Sequence, residues 1–153
     1  MYYAIVTLSM FLLPLVSIGI DVGAHQAPVL TAVGKWYVFW AVGIRLLLAG
    51  LRQSVQPRYT AKHILGIEGD EALLLVRELG FANIALGLVG TASLFAASWT
   101  QPAALAGGVF YLLAGIGHVF QRERNRLEQV AMYSDLFAGI VLLGFFCAEA
   151  ALA

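Results

Sequence analysis

Five polar or ionisable side chains stand inside long apolar stretches: Arg45, Glu78, Asn83, His118 and Asp135. Charge within hydrocarbon is costly; such groups turn toward a bundle interior and tend to mark ion, proton or ligand sites. Three chemistries are open to this set. Glu, His and Asp are ligand types for a divalent metal, which Glu78, His118 and Asp135 would hold. No two of them, however, have the separation of a helical metal motif such as Glu-x-x-His. His118 beside Asp135 could relay protons, because imidazole titrates near neutrality and a carboxylate tunes it. The set could also line a pocket for a small amphipathic ligand, with Arg45 holding an anionic group. The same residues would serve as purely structural pairs, Arg45 with Glu78 and His118 with Asp135, fixing helix packing. No nucleophile-base triad, phosphate loop or haem-attachment motif occurs, and His118 alone lacks the second histidine of a bis-His haem. No cofactor can be named.

The elements that would carry these residues are membrane helices. Of 153 residues, 61% are hydrophobic and 12% charged, and the mean hydropathy is +0.84; a soluble domain carries charge on about a quarter of its residues. Net charge is zero and the nine Lys and Arg fall in short clusters near segment ends, so no basic face exists to track nucleic acid. The lone Cys147 excludes an internal disulfide and a cysteine-based zinc site. Crossing a bilayer core takes roughly 20 apolar residues, and runs of that order fall at 3–20, 29–51, 72–98, 102–120 and 130–151. The chain therefore reads as one all-α integral membrane bundle, 1–153, of five transmembrane helices, since lipid tolerates no unpaired backbone and no barrel pattern is visible. The N-terminal Met-Tyr-Tyr lacks the basic start of a signal peptide, so the first segment reads as retained.

Charge between segments alternates. Arg52, Arg58 and Lys62 follow the second segment and Arg122, Arg124 and Arg126 the fourth, while the other side has only Lys35. The positive-inside rule makes those two loops cytoplasmic, the N-terminus cytoplasmic and the C-terminus periplasmic. Trp36, Tyr37, Trp40 and Trp99 would then form an aromatic belt at the outer interface. The longest linker, 53–71, contains Pro57, Gly66 and Gly69 and is expected to form a surface segment on the cytoplasmic face. Pro14 is expected to kink the first helix.

Folding the antiparallel hairpins about their turns puts His118 level with residues between Glu78 and Asn83, and opposite Asp135. Arg45 falls near the same height, so all five share a layer roughly 5 to 10 Å inside the hydrocarbon on the cytoplasmic side. Asn83 lies in a row with Gly80, Gly87 and Gly90, His118 with Gly107, Tyr111 and Ala114, and Asp135 with Ala131, Gly139 and Leu142. Such small-residue rows let helices approach closely. Glu78 stands about 140° around its helix from Asn83, so both cannot aim at one centre. His25 and His63 read as ordinary loop residues.

The stretch from Arg77 to Gly87 (RELGFANIALG), then Gly115-Ile116-Gly117-His118, then Tyr133-Ser134-Asp135-Leu136, resembles a family of small uncharacterised bacterial multi-spanning membrane proteins, a domain of unknown function, over most of the chain. Glu78, Asn83, Gly87, His118 and Asp135 match its pattern; Arg45 lies outside it. A looser likeness to DoxX-like four-helix proteins is one of architecture only. The resemblance implies a bundle in a bacterial inner membrane and no known activity. Three functions follow as expectations. One is binding of a small lipophilic ligand, ion or proton at the polar layer. Another is an accessory role, as a homo-oligomer or as a subunit of a larger membrane complex. The third is a membrane-embedded enzyme, metal-dependent or not, acting on a lipophilic substrate.

Overall fold

The computed structural model describes residues 2–67, 69–121 and 125–152; Arg122 and Arg124 of the basic loop lie outside the described residues. Five helices are long and apolar enough to cross a bilayer: α1 (Tyr2–His25), α2 (Val29–Val55), α4 (Leu73–Ala92), α5 (Ala97–Val119) and α6 (Arg126–Leu152). A short helix, α3 (57–64), lies between α2 and α4. Among the described residues there is no strand.

Helix ends differ from the apolar runs for local reasons. α6 begins at Arg126, ahead of the apolar run, because Asn125 Oδ1 accepts from the backbone N–H of Leu127 and Glu128 while Glu128 accepts from the Asn125 N–H. This reciprocal cap starts a helix in polar sequence. α4 ends at Ala92 and not near residue 98. Thr91 and Ser93 turn their hydroxyls onto the carbonyls of Gly87 and Gly90, a local alternative to continued helix, and the apolar Leu94–Ala96 stretch becomes a turn. α1 extends beyond residue 20 to His25 and closes on Gln26 in the left-handed region.

Two of these long helices contain widened, π-type turns, Leu8–Leu12 in α1 and Val38–Arg45 in α2. The first lies just ahead of Pro14, whose ring crowds the preceding turn and which has no N–H to give back to it; a wide turn accommodates both defects.

Packing follows the small residues. Gly43 and Gly50 of α2 meet Gly80, Gly87 and Gly90 of α4 so closely that a Cβ on Gly90 would sit 2.5 Å from the Gly43 nitrogen, and one on Gly50 would sit 2.6 Å from the Gly80 carbonyl. In lipid, where no hydrophobic force drives helices together, such backbone approach is the main source of association. α5 and α6 pair similarly, with Gly115 against Leu136 and Gly139 against Leu112. The core centres on Met10, Val38, Val42, Tyr111 and Leu142. Tyr37 joins that core, with its ring edge-on to Phe137, and so departs from the expected aromatic belt.

Candidate ligand-binding cavity

At the end of the bundle formed by the C-terminal half of α2, the start of α4, the end of α5 and the start of α6, the helices splay around a cavity of about 170 Å³. Arg45, Asn83, His118 and Asp135 all line it, from four different helices. α1 contributes Tyr2 and Ile5, and α3 covers the cavity with Tyr59, Thr60 and Ile64.

Each polar side chain arrives there by its helix register. Asn83 is buried on the same face as Gly80 and Gly87, where α4 meets α2. It donates through Nδ2 to Gln53 Oε1 at 2.7 Å, and its own Oδ1 is buried without a donor. Arg45 and Arg52 lie seven residues apart, two turns along one face of α2, and the Nε of each is buried without an acceptor. The Arg52 guanidinium stacks 3.7 Å from the Tyr59 ring centre, and that of Arg45 lies 5.6 Å from the ring centre of Tyr2. Neither arginine pairs with a carboxylate among the described residues. Asp135 has Arg45 and His118 as its charged neighbours, and His118 Nδ1 is 3.0 Å from Gln121 Oε1. Between these groups the wall is apolar: Leu46, Ala49, Phe110, Ala114 and Ala131. Tyr111 gives its hydroxyl to the Ala41 carbonyl inside the widened stretch of α2, bracing α5 against it.

Glu78 is not part of this constellation. It is exposed on α4, around the helix from buried Asn83, as the helical period requires. Among the described residues no three of His, Cys, Asp and Glu come together, so the trio of Glu78, His118 and Asp135 is not assembled, and neither is an Arg45–Glu78 pair. Reading by residue type also passed over Arg52, Gln53 and Tyr59, because they follow the apolar run and read as loop. The signal available was the seven-residue spacing of Arg45 and Arg52, which puts both on one face.

The opposite end of the bundle also holds a buried charge, likewise missed because the first apolar run breaks off just before it. Asp21, 6% exposed, accepts from Lys35 Nζ at 2.8 Å and Trp36 Nε1 at 2.8 Å, and lies 2.9 Å from His25 Nδ1. His25 is thus a partner in a cluster and not an ordinary loop residue. A wider cleft near this end, about 720 Å³, is lined by Lys35, Ser98, Gln101 and Glu149 among others, but none of its lining residues has an unpartnered buried side-chain polar atom.

A family model for a family of unknown function, DUF6790, matches residues 1–152. The chain belongs to that family. No curated protein and no solved structure matches it. For a DUF6790 member the cavity is therefore read from its own chemistry: fixed positive groups, one carboxylate, one imidazole and unfilled hydrogen-bonding capacity set in an apolar wall.

Proposed function

We propose that this chain is a multi-pass protein of the bacterial inner membrane that binds a small amphipathic ligand in the cavity shared by α1, α2, α4, α5 and α6, on the cytoplasmic side. The basic clusters at Arg52, Arg58 and Lys62 and from Arg122 to Arg126 support that orientation, with the N-terminus cytoplasmic and the C-terminus periplasmic. One observation carries the reading: Arg45, Arg52 and Asn83, each with a buried polar atom that meets no partner, line one partly open, mostly apolar cavity. Buried polar groups are nearly always satisfied, and each orphan costs about 1–3 kcal/mol. Three residues with such atoms line this cavity, and an occupant toward which their side chains turn would satisfy them. Pockets with a few placed polar groups in an apolar wall are the usual form of small-molecule sites.

The test is to purify the protein in mild detergent and identify by native mass spectrometry what leaves with it. The double variant His118→Ala with Asp135→Ala is expected to lose that occupant while keeping the helical circular dichroism of the parent. An occupant retained in full by the folded double variant would place binding elsewhere.

A further inference from the structure

The charge count inside the cavity narrows what it binds. Arginine keeps its charge under all ordinary conditions, so Arg45 and Arg52 place two fixed positive charges on the wall, whereas the described lining contains a single carboxylate, Asp135. Asp135 lies near Arg45, and Arg52, two turns along the face, stacks on the Tyr59 ring and pairs with no carboxylate among the described residues. Both arginines are half-buried, and each holds an Nε–H that meets no acceptor; charge kept partly out of water without a counter-charge is costly. The missing partner is an acceptor-rich anion. A planar carboxylate meets a guanidinium fork edge to edge with paired hydrogen bonds, which gives direction as well as charge.

The rest of the wall describes the rest of the molecule. A dry cavity of about 150 Å³ holds a benzene-sized body, close to the 170 Å³ found here. Phe110, Leu46 and Ala114 offer that body apolar contact, and Asn83 Oδ1, buried without a donor, could accept from one hydroxyl or amide N–H once its side chain turns to the occupant.

We infer that the cavity of the proposed function takes a small carboxylate monoanion, with an apolar body of about benzene size, its carboxylate held from α2 by Arg45 and Arg52. The inference rests on that reading and sharpens it to one ligand class.

The experiment compares four probes of one shape on the purified full chain in a non-ionic detergent: benzoate, benzyl alcohol, benzylamine and phenyl phosphate. Binding is followed by calorimetry and by the shift in melting temperature. Benzoate is expected to bind at least about tenfold more tightly than benzyl alcohol, as loss of charge-assisted hydrogen bonds implies, and benzylamine weakest of all. Arg45→Gln and Arg52→Gln should each weaken benzoate by about tenfold or more and leave benzyl alcohol unchanged. Ala114→Phe, which fills the space, should block both. Equal binding of benzoate and benzyl alcohol, with both lost in Ala114→Phe, would overturn anion recognition while leaving the cavity as a ligand site. Tighter binding of phenyl phosphate than of benzoate would overturn the monoanion assignment. Benzoate binding that persists in Ala114→Phe, or no binding by any probe, would overturn both. Should an arginine variant fail to fold, the ratio of benzoate to benzyl alcohol on the parent chain still decides.

Discussion

Near the α1–α2 turn, Asp21 gathers Lys35, Trp36 and His25 within 2.9 Å, while at the other end Arg45, Arg52 and Asn83 bury polar atoms that meet nothing. Both clusters sit where charge is expensive, yet only one is internally complete. The completed cluster ties α1 to α2, because Asp21 belongs to the first helix and Lys35 and Trp36 to the second. The incomplete one is held open by its surroundings. Glycine contacts fix α2 against α4 on one side, and Tyr111 braces α5 against α2 on the other. A satisfied polar cluster contributes to stability, whereas an unsatisfied one subtracts from it and is retained where a ligand restores the balance.

That contrast can be broken most directly at Asp21. Asp21→Ala removes the acceptor through which the Lys35 and Trp36 donors tie α2 to α1, so the melting temperature in detergent should fall further than for any other substitution considered, while benzoate affinity at the far end stays as in the parent. A parent-like melting curve would show the cluster to be ornamental. The converse substitution sharpens the comparison from the other side. Asn83→Leu removes an orphaned acceptor; the ligand-free protein should gain about 1 kcal/mol or lose nothing, and at the same time bind benzoate more weakly. A large destabilisation there would mean that the Gln53–Asn83 hydrogen bond, and not the cavity, explains Asn83. The smallest effect is expected at Arg58, whose ion pair with Asp70 is exposed on both sides. Arg58→Ala should change stability by no more than about 0.5 kcal/mol. A larger change in thermal unfolding would show that the pair anchors α3 over the cavity.

Much of this was legible in the order of the residues. The five spans follow from apolar length alone, because a bilayer demands it. The hairpin register brought Asn83, His118 and Asp135 to one height, and helical periodicity turned them inward beside rows of glycine and alanine. Other features were not legible by those means. The capping box at Asn125 extends α6 into sequence that hydropathy scores as loop, and the hydroxyls of Thr91 and Ser93 end α4 inside sequence that hydropathy scores as span. Asp21 fell between two readings for the same reason: hydropathy averages over many residues, whereas caps and clusters are decided by one or two atoms.

The sequence by itself determined that the chain forms helices long and apolar enough to cross a membrane, which charges lie within those apolar stretches, and which faces carry the small residues, since all three depend only on composition and helical period. Only the tertiary structure decided which of those charges meet. Helical period already separates Glu78 from Asn83, but that Arg45, His118 and Asp135 open onto one cavity depends on how three helices pack. Arg52 and Tyr59, read as loop, instead form the wall and cover of a cavity, because the path of α3 is set by contacts with distant helices that no local pattern encodes.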